Sequence, residues 1–234
     1  MKSAVKILLQ VGEGEAAVLD SQSRIANWLY NTLLERANAL RTQYRASQDK
    51  SVGKTLYTER GLRDLIPALK EQHPFLKSVY SSPLKNAALR LSQAIRAYQD
   101  GKHGRRAKAL NWPRFRAWKR SWFSLQYDEP WKGYQLEGRR LTLSLGRDEG
   151  GKQLKLTLTL AEALPHWVNH DHIRQCRIAK RDTSTLSSSR SSASCPTGNH
   201  SRRRKWLPSI PITKISPMPW IVMGRRPRST PPIF

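Results

Sequence analysis

The chain has 234 residues, 42 of them Lys or Arg against 17 Asp or Glu, for a formal net charge of +25. Such an excess repels itself and requires an anionic partner, which narrows the field to nucleic acid or an anionic membrane surface. No apolar run reaches the roughly 18 residues of a membrane span. The 2 cysteines, Cys176 and Cys195, speak against a disulfide framework and against a cysteine zinc site. The opening MKSAVKILLQVGEGE shows no cleavage site after its short apolar run, so cytoplasm is the default location.

Residues 4–11 alternate, with Val5, Ile7, Leu9 and Val11 on one face, and predict a half-buried strand ended by Gly12 and Gly14. From Ala16 to Ala46 the period lengthens. Ile25, Leu29, Leu33, Ala37, Leu40 and Tyr44 form the apolar stripe of a long helix, with Asn27, Asn31, Arg36 and Arg41 off the stripe. Gln48 to Lys54 reads as a polar turn, and Thr58-Glu59 starts a second helix that Pro67 kinks or ends. Ser82 and Pro83 read as N-cap and first position of a third helix carrying Leu84, Ala88, Leu91, Ile95 and Tyr98 and closed by Gly101.

Gly101 to Tyr127 is the most informative stretch. It holds Lys102, Arg105, Arg106, Lys108, Arg114, Arg116, Lys119 and Arg120 with no acid, interleaved with Trp112, Phe115, Trp118, Trp122, Phe123 and Tyr127. Unpaired cations are costly to bury. Cations beside flat rings suit a polyphosphate with stackable bases. Arg114, Arg116, Lys119 and Arg120 are expected on phosphates and Trp112 or Trp118 on a base, with Trp122 and Phe123 in the core. The alternative is a solvated basic loop anchored by its aromatics. Beyond it, Ser124–Tyr127, Leu136–Leu145, Leu154–Leu160 and His172–Lys180 read as strands, the turn GRDEGG joining the middle two. A strand at the start and four near the end imply a small barrel interrupted by three helices, an α+β fold.

Residues 183–234 differ. They contain 11 Ser, 8 Pro and 9 Lys or Arg and no acid, and no periodicity persists, which predicts a basic, disordered tail.

The order of parts over residues 1–181 resembles the N-terminal half of the transposon-encoded RNA-guided nuclease family TnpB, or OrfB, relatives of the miniature type V CRISPR effectors. Ser81-x-x-Leu84-Lys85 with Leu91, Ala94 and Ile95 resembles its S-x-x-L-Q…L-x-x-A-F helix. Pro113-Arg114-Phe115-Arg116 resembles its P-K/R-F-K element, Trp122-Phe123-Ser124 through Tyr127 its S-F-x-Y strand, and Ile173 through Ile178 its I-x-x-V-R-I strand. The resemblance implies a prokaryotic, nucleoid-associated protein holding guide RNA and target DNA, without a cofactor. It implies a wedge barrel at 1–14 and 108–181, a recognition insert at 15–107 and a tail at 182–234. Ser81, Lys85, Asn86, Arg105, Arg106, Lys108, Trp112, Arg114, Arg116, Trp118, Lys119 and Arg120 become the expected nucleic-acid contacts. Lys85 stands where the family commonly has Gln, a position implicated in reading the target-adjacent motif.

The family continues into a nuclease domain whose acids hold metal ions, and no acid follows Asp182 here. The expectation is a non-catalytic chain. Its tail reads as a frameshift product, or else as the tail of a naturally shortened binding protein acting as a regulator. A metal role for His166, His170 and His172 is the lesser reading beside a polar loop. An electrostatic membrane protein would need a basic amphipathic helix with a wide apolar face, which is not evident.

Overall fold

The structure, a computed structural model, describes residues 4–148, 150–168, 173–180 and 219–224. Strand β1 (Ala4–Gln10) buries Ile7 and Leu9, as its alternation dictates. Helix α1 runs over Glu13–Ser47, longer than the apolar stripe. Glu15 accepts the Gly12 N–H at 2.8 Å, so an acid both satisfies an orphan donor and complements the positive helix end. At the other end Gln48 turns left-handed (φ 53°) and returns its N–H to Tyr44 O.

The turn expected at 48–54 is instead helix α2 (Lys50–Tyr57), because Asp49 accepts the Ser51 N–H at 2.8 Å and caps a new start. Thr58 caps α3 (Glu59–Arg63) as predicted, accepting from Gly61 N. The second helix breaks just ahead of Pro67, as expected, with α3 stopping at Arg63. Pro67 itself sits in the first turn of α4 (Ile66–Gln72), where its missing N–H costs nothing. A 3₁₀ turn over Pro74–Ser78 leads to α5 (Ser81–Lys102). Tyr80, extended at ψ 152°, precedes α5. Ser82 is therefore inside the helix with its hydroxyl unpartnered, a correction to the expected cap. The three expected helices are five helical segments, since caps subdivide what the apolar pattern runs together. Leu84, Ala88, Leu91 and Ile95 of α5 are fully buried and pack in one core with Leu29, Leu33 and Ala37 of α1.

The remaining strands are β2 (Leu125–Tyr127), β3 (Tyr134–Glu137), β4 (Arg140–Arg147), β5 (Gln153–Leu160), β6 (Gln175–Lys180) and β7 (Pro219–Gly224). The single strand expected at 136–145 is a hairpin, β3 and β4 folding back at Gly138 (φ 59°) with Glu137 opposite Arg140. Leu141, Leu143 and Leu145 face inward as expected, but on β5 only Leu158 and Leu160 are buried. Leu154 is 38% exposed because the β4–β5 hairpin extends past the core. Gly146 lies within β4 rather than in the turn. A Cβ there would overlap the Lys77 carbonyl and the Ser78–Val79 backbone, so the glycine lets the helical insert rest on the sheet. His172, expected to open the last strand, lies outside the described residues, as does His170.

Sheet order is β2-β6-β7-β1-β5-β4-β3, all antiparallel, and the ladder is open between β2 and β3. This is not the closed barrel expected. The sheet must nonetheless curl. Laid flat, its edge strands would be about 29 Å apart, at ~4.8 Å per strand. The connection from Tyr127 to Tyr134 reaches at most about 25 Å. Tyr134 on one edge donates its hydroxyl to Ile173 O at 3.1 Å, just ahead of β6, so the gap is spanned by a side chain rather than a ladder.

Strand β7 corrects another expectation. Most of the tail lies outside the described residues, but Pro219–Gly224 pairs on both sides, Ile221 opposite Ile7 of β1 and Ile178 of β6. PWIVMG is a short apolar run of strand formers that a search for long periods passes over. Proline at position 221 would remove a central donor and leave a carbonyl unpaired, costing about 1–3 kcal/mol. The expected result for Ile221→Pro is a fall in Tm of several degrees by thermal denaturation. An unchanged Tm would show that β1 and β6 do not depend on this strand.

Candidate nucleic-acid interface

Residues 103–124, between α5 and β2, form an irregular linker that runs antiparallel along α1. One polar stripe of α1 fixes it. Asn38 Oδ1 accepts from Trp112 Nε1 at 2.7 Å. Asn31 grips both sides of Arg116, accepting its N–H at 2.9 Å and donating to its carbonyl at 3.0 Å; Asn27 donates to the same carbonyl at 3.1 Å. Ser23 Oγ accepts from Trp118 Nε1 and from Phe123 N, each at 2.9 Å. Asp20 accepts from Trp122 Nε1 at 2.8 Å and pairs with Lys180 of β6 at 3.1 Å. Positions 20, 23, 27, 31 and 38 share one face by helical spacing. The polar residues that the apolar stripe leaves over are therefore this protein's own linker dock.

The docking changes what the aromatics do. Trp112 and Trp118, expected as base platforms, are half-buried anchors whose indole N–H groups are used. Arg41 lies 4.1 Å over the Trp112 ring, with Tyr98 edge-on to it, and Arg24 lies 4.6 Å over Trp118. Phe123 is buried and Trp122 half-buried, as expected. Phe115, in the Pro113–Arg116 element, is 61% exposed and is the open ring of the stretch.

The cations sort by burial. Arg106, Lys108, Arg114, Lys119 and Arg120 are exposed and have no acid partner among the described residues, whereas Arg105 pairs with Asp100 at 3.1 Å. Arg116 turns inward, stacked over Phe123 and Tyr30, with one contact to Ser121 Oγ at 3.2 Å. At the far end of α5, Lys85 is engaged by Glu129 at 3.3 Å, which also accepts from Tyr80 at 2.7 Å. The Tyr80 hydrogen bond, then Lys85, hold the Glu129 carboxyl below the usual range, and Tyr80 is itself pushed up to about 12 by partial burial and then by Glu129. Ser81 opens α5, and Asn86 is buried with its Oδ1 unpartnered.

The expected contacts thus do not form one site. At ~1.5 Å per residue, Ser81 and Lys85 stand roughly 25–30 Å along α5 from Arg105–Lys108, while Asn86 and Arg116 line one groove. Arg90 and Arg177, which also line that groove, are missing from the expected set. In the sequence Arg90 already stands, with Gln93 and Arg96, off the apolar stripe of α5 and free to meet a ligand, whereas nothing there assigns Arg177 to a contact. Among the described residues, no three His, Cys, Asp or Glu side chains come together. No protein-family model matches the chain, and no curated protein matches it by sequence.

Asn31→Ala should leave the Arg116 N–H without its acceptor and the Arg116 carbonyl with Asn27 alone, costing roughly 1–3 kcal/mol in denaturant unfolding. A change under about 0.5 kcal/mol would mean that the linker is held elsewhere. For Glu129 the lowered pKa means that its stabilisation is present above the unfolded value near ~4.3 and is lost as pH falls through the lower folded value. Glu129→Gln should therefore lower Tm modestly above about pH 4.3, where the carboxylate is charged, and converge with wild type as pH falls below that value.

Proposed function

We propose that the chain binds nucleic acid through the linker arc, as a non-catalytic relative of the RNA-guided nucleases it resembles, with guide-like RNA and DNA as partners. The observation that carries this is the union of rigidity and uncompensated charge. The arc is pinned to α1 from Trp112 to Phe123, yet Arg114, Lys119 and Arg120 within it, and Arg106 and Lys108 just ahead of it, meet no acid among the described residues. Such a surface costs stability through self-repulsion and recovers it when phosphates arrive. Being pre-ordered, it loses little entropy on binding. Phe115 adds an open ring for stacking.

A second reading keeps the binding but makes the protein a naturally shortened regulator. The pairing of Pro219–Gly224 between β1 and β6 favours it, since a strand inside the sheet is foreign to a frameshifted tail. In both readings partners are held rather than cut, which the lack of a three-membered His, Cys, Asp or Glu cluster among the described residues supports.

The test uses purified, RNA-free protein and a labelled single-stranded RNA. Replacing Arg114 and Lys119 together with Ala should weaken binding and shallow the log K versus log salt slope by roughly 0.7 per lost contact, with the RNA left intact in Mg²⁺. An unchanged slope in a folded double variant removes the arc as the binding surface. Mg²⁺-dependent cleavage abolished by a carboxylate substitution would overturn the non-catalytic assignment.

A further inference from the structure

The arc has an inner side. There a groove of about 640 Å³ opens between α5, the linker, β2 and β6, with Asn86, Arg90, Arg116, Gln175 and Arg177 on its walls. Three guanidiniums converge on two adjacent residues. Arg90 Nη2 donates to Ser124 Oγ at 2.6 Å and to Ser124 O at 2.9 Å, and Arg177 Nε donates to the same Oγ at 3.0 Å. Arg90 and Arg116 both lie over the Phe123 ring, at 4.5 and 5.2 Å. One shared hydroxyl and one shared ring place three like charges side by side.

Among the described residues, no Asp or Glu pairs with them or lines the groove. Of the described acids around the linker and β2, Asp20 is engaged by Lys180 and Trp122, Asp128 by Gln126, and Glu129 by Tyr80 and Lys85. Arg116 Nε and Asn86 Oδ1 are buried and have no partner among the described residues. Burial, then repulsion from Arg177 and Arg116, hold Arg90 down to about 10. Arg90 is still charged at neutral pH. A fold that needed only to fill this space would use apolar residues or add a carboxylate.

We infer that the groove clamps a phosphate of a nucleic-acid strand, with Arg90, Arg116 and Arg177 on its oxygens and Gln93 and Gln175 beside the adjoining sugar. Guanidiniums present donors in the fork geometry that phosphate oxygens match. The volume exceeds that of one phosphate. Arg116 belongs both to the groove and to the arc, so a strand lying on the arc continues into it. The inference rests on the nucleic-acid reading above.

Arg177 is the exposed member of the three, which makes Arg177→Gln the variant of choice. The probes are a labelled 12-residue oligouridylate and inorganic phosphate at matched ionic strength. Arg177→Gln should bind the oligonucleotide roughly 5–10-fold more weakly, with a salt slope shallower by about 0.7, and Arg177→Lys should recover most of both. Arg60→Gln, on exposed α3, should match wild type. Without added anion, Arg177→Gln should melt no lower than wild type, because a like charge beside Arg90 is gone, and phosphate should raise its Tm less than that of wild type. A purely structural arginine gives the opposite pattern, a lower Tm with equal phosphate response. Oligonucleotide binding that Arg114→Ala/Lys119→Ala weakens and Arg177→Gln leaves untouched overturns the groove alone. A phosphate shift in wild type with no oligonucleotide binding overturns the strand assignment together with the nucleic-acid reading.

Discussion

The polar face of α1 is the constraint on which the rest depends. A linker of about twenty residues, rich in cations and with little backbone pairing of its own, has no intrinsic reason to hold a shape. Here Asn38, Asn31, Asn27, Ser23 and Asp20 meet it in sequence and in antiparallel order. Asn31 is the centre of the ladder, because its amide completes both the donor and the acceptor of one peptide position. Helical geometry supplies the spacing, so the linker inherits its regularity from α1. The same helix buries its apolar face against α5, and one element therefore sets both the core and the displayed charge.

The charge excess is managed with rings as much as with acids. Arg41 lies against Trp112 and Tyr98, Arg24 against Trp118, and Arg90 and Arg116 against Phe123. A cation–π contact contributes about 0.5–2 kcal/mol and leaves the charge intact. A salt bridge would instead have spent it. Where acids do appear they hold positions: Asp20 ties α1 to β6 through Lys180, and Glu129 ties β2's exit to α5 through Lys85 and Tyr80. Charge is cancelled where elements must be joined and kept where a ligand can use it.

Period carried much of the fold into view from the sequence. The buried positions of β1, α1, α5 and β4 follow it closely, because at those elements one face meets the core and the other does not. What period hides is where an element stops. Asp49 makes a helix of a stretch read as a turn, and Gly138 makes two strands of one, each through a single local interaction. The site was half legible. Composition located the arc. It could not show that Trp112 and Trp118 spend their N–H groups on α1, since a tryptophan that stacks on a base and one that anchors a loop have the same neighbours in sequence. The meeting of Arg90 with Arg177 was harder still. They are 87 residues apart in number and meet only because β6 pairs with β2 beside α5, at one serine hydroxyl.

Strand β7 bears on the groove as well as on the sheet. β2 and β6 form one wall of the arginine cluster, and β2 contributes only Leu125–Tyr127. So short an edge cannot orient Arg177 unaided. On its other side β6 is paired along its whole length with β7, from Gln175 opposite Gly224 to Lys180 opposite Pro219. That pairing fixes the pleat of β6, and with it the face on which Arg177 stands, because a one-residue slip would turn the side chain away from Ser124. The tail segment and the phosphate groove are thus mechanically linked. In a chain lacking the 219–224 strand, Arg177 would lose its fixed direction before the helical core lost its packing.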